Sequence, residues 1–291
     1  MSKQISIIIP VYNEEKAIEQ TIEGLKKELS KLGLDYEIVV VNDASTDKTR
    51  GILEKIEGIK LIDHPENRGY GAALKTGIKN SVYDWILIID ADGTYPDESI
   101  ADLIKHTSDY DMVVGARIGK RVKIPLVRRP AKWIINKLAN YLTKTKIPDL
   151  NSGLRIMKKP LLEKFIYILP DGFSFTATIT LAALTNGYTI KYIPIAYSER
   201  VGKSKIRPIR DTLNFFQLII RTILYFNPLK VFVPLSLVLF LLGAGIFFYN
   251  YFFMTKILDT TVAIILISSI QMLAIGMIAD LVIKTRNNTK V

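Results

Sequence analysis

The chain has 291 residues, 49% of them hydrophobic, and its 39 Lys and Arg outnumber 28 Asp and Glu for a formal net charge of +11. That composition calls for one substantial core plus further apolar segments, and the charge for an anionic partner: nucleic acid, an anionic lipid surface or a phosphorylated substrate. The absence of cysteine excludes disulfide frameworks and thiolate metal sites, and the two histidines, His64 and His106, stand too far apart for a zinc pattern.

From the N-terminus, a short polar start leads into Ile5-Ser6-Ile7-Ile8-Ile9-Pro10 without the basic and apolar regions of a signal peptide. The N-terminal part is therefore expected in the cytosol. Strand-like apolar runs at about 5–9, 37–41, 59–63, 85–89 and 111–114 alternate with helix-like stretches at about 14–31, 46–57, 70–80 and 97–106. Such alternation predicts an α/β domain with a mainly parallel sheet. Ser45 or Thr46 is placed to cap the second helix and Asp97 the fourth, while Gly33 and Gly58 stand where helices should stop.

Ligands of open α/β sheets lie beyond the carboxyl ends of the strands. Three polar clusters fall there: Tyr12-Asn13-Glu14, Asn42-Asp43, and Asp90 with Asp92. The last is the most informative. The run Ile86-Leu87-Ile88-Ile89 passes directly into Asp90-Ala91-Asp92-Gly93, so two carboxylates two residues apart leave a buried strand beside a residue that permits a turn. A hard divalent cation shared with substrate phosphates needs oxygens grouped in this way.

Beyond Gly115 the chain becomes basic and less regular, with Arg117, Lys120, Arg121, Lys123, Arg128, Arg129 and Lys132. A helix-like segment at about 130–144 and the turn-rich stretch Pro148-Asp149-Leu150-Asn151-Ser152-Gly153-Leu154-Arg155 follow. Any one of these cations reads more readily as solvated surface over the sheet edge, but as a group they point to an anionic partner. Residues 208–226 carry Ile209, Leu213, Phe216, Ile220 and Ile223 at helical spacing, which suits an interfacial helix at a bilayer or a helix packed on the α/β domain. Segments 231–254 and 261–283 each exceed the roughly 20 apolar residues that cross a hydrocarbon core of about 30 Å, and are read as a transmembrane hairpin. Arg221 and Lys230 precede it and Lys284, Arg286 and Lys290 follow it, so the positive-inside rule puts both ends in the cytosol.

Taken together, Pro10-Val11-Tyr12-Asn13-Glu14, Val41-Asn42-Asp43-Ala44-Ser45-Thr46-Asp47, Asn67-Arg68-Gly69-Tyr70-Gly71, Asp90-Ala91-Asp92 and Asn151-Ser152-Gly153-Leu154-Arg155 resemble the motif series of family 2 glycosyltransferases. The resemblance is greatest to the dolichol-phosphate mannose synthase and polyprenyl-phosphate glycosyltransferase branch, and it covers about residues 5–207. It implies a GT-A fold over 1–207, followed by a juxtamembrane amphipathic helix at 208–230, two transmembrane helices within 231–284 and a cytosolic tail at 285–291. Members of that branch also carry a C-terminal membrane hairpin.

The resemblance implies a nucleotide diphosphate sugar, UDP- or GDP-linked, as donor. Pro10, Tyr12, Glu14, Asp43, Asp90 and Ala91 would line its site, with Asp43 and Glu14 accepting from ribose or base. Asp90 and Asp92 would hold the diphosphate through Mg²⁺ or Mn²⁺, Asp92 as the more direct ligand. Relatives often have glutamine where this chain has Thr94. Gly69-Tyr70-Gly71 lacks the third glycine of a dinucleotide fingerprint, Leu74 standing there, and reads as a tight turn into a helix.

The implied acceptor is polyprenyl or dolichyl phosphate, already ionised at neutral pH and in no need of a catalytic base. What it needs is cations that offset phosphate–diphosphate repulsion. Arg117 matches the family's acceptor-phosphate position and is counted as catalytic beside Asp92; Arg128 or Arg129 would form a second clamp, which Ser152 and Arg155 would complete. Lys203 and Lys205 suit the acceptor phosphate or equally a general attraction to anionic lipid. No carboxylate occurs between Asp171 and Glu199, where many relatives carry glutamate or glutamine early in a helix. The expected enzyme is thus a membrane-anchored, inverting, metal-dependent hexosyltransferase, its homo-oligomerisation left open and no nucleic acid involved. Rivals are transfer to another lipid or glycan, and a silent nucleotide-sugar-binding module. A processive synthase is disfavoured, since Gln217 and Arg221 are four apart and no Trp follows.

Overall fold

The structure, a computed structural model, describes residues 4–118, 143–172, 174–196, 227–253 and 259–288 together with a few single positions among the remainder. The chain divides into two compact units, Met1–Phe216 and Gln217–Val291.

In the first unit, strands β1 (Gln4–Val11), β2 (Asp35–Asn42), β3 (Lys60–Asp63) and β4 (Trp85–Ile88) alternate with helices α1 (Ile18–Lys31), α2 (Thr49–Leu53), α3 (Tyr70–Lys79) and α4 (Ser99–Lys105). Then come β5 (Met112–Ala116), β6 (Arg155–Lys158), α5 (Lys159–Phe165), α6 (Phe175–Thr185) and β7 (Ile190–Pro194). The seven strands form one sheet in the order β3-β2-β1-β4-β6-β5-β7. Only β6 runs antiparallel to its neighbours. The central strands are apolar without alternation because both faces of a helix-covered parallel sheet are dry; Ile5 through Val11 are all buried. Helix α1 turns Ile18, Ile22, Leu25 and Leu29 onto that sheet at spacings of three and four residues.

All five predicted strands and all four helices of the first half are present, with shifted ends. Helix α1 starts at Ile18, because the Glu14 carbonyl accepts from Ala17 and Ile18 N–H in a preceding turn. The capping expectation is corrected. Ser45 Oγ accepts from the Asn13 N–H and the Thr46 N–H donates to Asn13 Oδ1, stitching two loops together, whereas Asp47 Oδ1 accepts from Thr49 N–H at the start of α2. Asp97 gives α4 only its backbone carbonyl.

Register positions the site. Val11 pairs with Asn42, and Asn42 with Asp63, so Tyr12, Asp43 and His64 emerge in one rank from three adjacent strand ends. Beyond β4, Arg155 pairs with Ile88 on one side and Val114 on the other. That crossing lays the loop before β6 over the ends of β4 and β5.

In the second unit, α7 (Leu229–Phe253) and α8 (Asp259–Asn288) pack as a pair. Ser236, Gly243 and Asn250 recur at seven-residue spacing and are buried, as are Val262, Ser269 and Gly276 on the partner helix. A seven-residue repeat is that of a left-handed two-helix seam, with small residues letting the backbones approach. A side chain at Gly243 would press on Leu266 and one at Gly276 on Phe232. The outer faces are apolar and exposed, Leu241, Ile270 and Ile278 at 60%, 66% and 62%, which suits lipid and not the core of a soluble protein. Asp280 pairs with Lys284 at 2.8 Å. The expected amphipathic helix at 208–226 lies almost wholly outside the described residues.

Candidate active site

A cavity of about 300 Å³ opens at the carboxyl ends of β1, β2 and β4, lined by Pro10, Tyr12, Glu14, Asp43, Asp90, Ala91 and Asp92 among others. Every residue expected for the donor thus comes to one place. Among the further lining residues, Asn67, Asn151, Gly153 and Thr176 were given no place at the donor site from sequence. The first three lie inside motifs already singled out, but only the fold, with the chain crossing at β6, shows that these motifs meet.

Tight backbone approaches shape the wall. Gly69 has φ +98° and opens α3, and a Cβ on Gly69 or Gly71 would strike the carbonyls of Asp171 or Pro170. The Ala72 N–H donates to that Asp171 carbonyl at 3.0 Å, so the glycines lock α3 to the 170–172 turn. Gly153 does the same below Asp90: a Cβ there would overlap the Asp90 carboxylate.

Asp90 accepts a hydrogen bond from the Tyr70 hydroxyl at 2.9 Å. Burial, then the Asp92 charge, raise its pKa to about 6, against the opposing pull of Tyr70, Arg117 and Arg155. Burial and the nearby Asp90 push the Tyr70 phenol well above its usual range, so it remains a donor to Asp90. Asp92 accepts from the Thr94 hydroxyl at 2.6 Å. Thr94 therefore orients Asp92. Among the described residues no cluster of three or more His, Cys, Asp or Glu gathers. The donor set nevertheless fits Mg²⁺ or Mn²⁺, which take hard oxygens and leave positions for phosphate and water, and a cation would relieve the repulsion that Asp90 and Asp92 exert on each other.

Two expected acceptor residues are corrected. Ser152 and Arg155 are fully buried. Ser152 Oγ donates to the Gly115 carbonyl; Arg155 donates to the carbonyls of Ser152 and Thr176 and to Thr180 Oγ1. Burial lowers the Arg155 pKa, and Tyr70, Tyr192 and Asp149 act against it. Arg155 is a buried cation beneath the site, not a clamp facing an acceptor. It also explains the apolar α6, whose Thr176 and Thr180, one turn apart, serve this guanidinium while the surrounding residues fill the core.

Arg117 makes a two-point pair with Asp149, Nε to Oδ2 at 2.7 Å and Nη2 to Oδ1 at 2.9 Å. Asp149 is largely buried, which raises its pKa, yet the Arg117 pair holds it below the usual carboxylate range. Arg117 is part-exposed at 24%. Arg128, Arg129, Lys203 and Lys205 lie outside the described residues. The sequence reading also passed over His64, buried between Asp43 and Thr76.

Comparison with known proteins agrees with this geometry. Residues 6–166 match the Glycosyl transferase family 2 domain and residues 227–284 the GtrB C-terminal hairpin. An uncharacterized protein of Methanocaldococcus jannaschii is 33% identical over 201 residues, covering 66% of this chain and 80% of its own. An undecaprenyl-phosphate 4-deoxy-4-formamido-L-arabinose transferase of Pseudomonas fluorescens is 32% identical over 262 residues, 84% of this chain and 71% of that protein. A dolichyl-phosphate hexose transferase of Haloferax volcanii is 29% identical over 206 residues, 70% and 87% of the two chains. In fold, glucosyl-3-phosphoglycerate synthase of Mycobacterium tuberculosis, crystallised with Mn²⁺, UDP-glucose and phosphoglyceric acid, superposes with TM-score 0.61 at 18% identity over 76% of this chain and 79% of that one. The α/β unit therefore has the GT-A fold, and the C-terminal hairpin makes this a membrane protein. With the family domain matched over more than half its length, the chain belongs to the family 2 glycosyltransferases.

Proposed function

We propose that this enzyme moves a hexose from a nucleotide diphosphate sugar to polyprenyl or dolichyl phosphate at the cytosolic membrane surface, inverting the sugar. The observation that carries the reading is the convergence of Tyr12, Glu14, Asp43, Asp90 and Asp92 on one cavity, in a chain that also bears a membrane hairpin matching GtrB. Relatives named for undecaprenyl and dolichyl phosphate support the acceptor class.

In this reading Pro10, Tyr12, Glu14 and Asp43 hold the nucleoside, while Asp90 and Asp92 hold Mg²⁺ or Mn²⁺ against the diphosphate beside Ala91. When bound, the cation stabilises negative charge on the departing diphosphate. Tyr70 and Thr94 fix the two carboxylates, and Arg155 offsets their charge from below. Arg117 exchanges part of its pairing with Asp149 for the acceptor phosphate, which needs a cation more than a base. Arg128, Arg129, Lys203 and Lys205 are assigned to the same phosphate or its membrane approach.

Purified enzyme supplied with polyprenyl phosphate, a panel of radiolabelled nucleotide sugars and Mg²⁺ or Mn²⁺ tests the reading. Label should enter the lipid fraction with at least one donor, and a blank lipid fraction across the panel overturns it.

A further inference from the structure

Asp43 lines the cavity, and three groups hold its carboxylate. Its Oδ1 accepts from the Arg68 N–H at 2.9 Å and faces His64 Nδ1 at 2.7 Å; its Oδ2 accepts from the Gly69 N–H at 2.8 Å. His64 Nε2 lies 2.9 Å from Thr76 Oγ1 on α3. A carboxylate accepts only, so His64 Nδ1 carries the proton in that contact, and Thr76 anchors the ring through its other nitrogen. His64 is 7% exposed and Asp43 3%, so neither contact is exchanged freely with bulk water.

A carboxylate offers about four acceptor positions, two on each oxygen. Three are filled here, and both positions of Oδ1 are among them. One position remains, on Oδ2. Uracil presents a single ring N–H flanked by carbonyls, whereas guanine presents a ring N–H beside its exocyclic amine, a paired edge that calls for both oxygens of a carboxylate.

We propose that His64 is a positioning residue of the donor subsite: by occupying Asp43 Oδ1 it leaves the carboxylate one open acceptor, which selects uridine over guanosine diphosphate sugars. The inference rests on the reading that Asp43 faces the donor nucleotide. His64 touches no substrate and acts through Asp43. It reaches that place because β2 and β3 end in register, Asn42 against Asp63, and the His64 N–H donates to the Asn42 carbonyl at 2.9 Å.

Calorimetric binding of UDP and of GDP, each with Mn²⁺, to the full-length enzyme in detergent tests it. The wild type should prefer UDP by about tenfold or more, the worth of one matched hydrogen bond. His64→Leu should lose UDP affinity by about tenfold and bring the UDP-to-GDP ratio toward parity, since Oδ1 regains an acceptor position. His64→Asn, whose amide can reach Asp43 from the same position, should recover most of the affinity and the ratio. Thr76→Val, which leaves both His64 and Asp43 in place but unanchors the ring, should lower the ratio by a smaller factor, and it stands in if His64→Leu fails to fold. A wild type that binds GDP as well as UDP overturns the proposal, as does an unchanged ratio in Thr76→Val and any folded His64→Leu. Equal affinity losses in His64→Leu and His64→Asn also overturn it, marking His64 as structural. Asp43→Ala separates the two levels: if both nucleotides bind it as they bind the wild type, the donor-site reading itself fails.

Discussion

At Asp90, burial and the Asp92 charge act in the same direction, and the consequence can be measured as stability against pH. Its folded pKa of about 6 lies above the ordinary 3.8. The metal-free fold is therefore favoured while Asp90 is protonated, a contribution complete below about pH 4 and lost as pH rises through 6. At pH 7.5 the ionised group costs at most roughly 3 kcal/mol, less the part screened by water in the cavity. Asp90→Asn should therefore raise the unfolding temperature of EDTA-treated enzyme by several degrees at pH 7.5 and hardly at all at pH 4, and Mn²⁺ should stabilise the wild type more than the variant. Equal thermal shifts at the two pH values would show that the charge is not under strain. Asp92→Asn should lower turnover by at least about 100-fold, since the charge facing the leaving diphosphate is lost; measurable transfer near the wild-type rate would exclude Asp92 from that role. Arg117→Ala should raise the KM for polyprenyl phosphate by about tenfold or more with little change for the donor. Because the largely buried Asp149 then keeps backbone donors but loses its counter-charge, Arg117→Ala/Asp149→Asn should regain stability but not acceptor affinity. Recovery of both would reduce Arg117 to a structural partner.

At the scale of elements, the donor wall depends on the seam between α3 and the turn before α6. Gly71→Ala forces a methyl onto the Pro170 carbonyl and should cost about 1–3 kcal/mol with a rise in donor KM; urea unfolding and donor titration would show it, and a neutral result in both would mean the seam yields freely. The first five strands were legible because each is a bounded run between turn formers, apolar and buried in β1, β4 and β5 and only half-buried in the edge strand β3. Strands β6 and β7 were not. The first is four residues beginning with a buried Arg155, and the second, Ile190–Pro194, is only half-buried and keeps no clear period. Local pattern carries no sign that β6 inserts antiparallel between β4 and β5, because that choice is made by distant pairing partners. The same limit hid His64. Its sequence distance from His106 argued against zinc, but nothing near it in the chain revealed Asp43 and Thr76 on either side of its ring.

For the whole molecule, the proposal of two cytosolic ends predicts a labelling pattern. The native chain contains no cysteine, so single-cysteine variants report cleanly. A cysteine at Lys256, between the spans, should react with a membrane-impermeant maleimide on intact cells, while one at Lys290 should react only after lysis; the reverse pattern would invert the topology. Sequence alone determined the alternation of the α/β unit, the two spans, the excess of positive charge and the ordered motifs, because each is written in neighbouring residues or in composition. Tertiary structure decided what those motifs do to one another. It put Gly153 beneath Asp90, turned Arg155 from an expected acceptor clamp into a buried counter-charge, paired Arg117 with Asp149 and seated His64 against Asp43. Those outcomes follow from strand register and from the need of buried polar groups to find partners, and residues far apart in the chain meet those demands only once the sheet has closed around them.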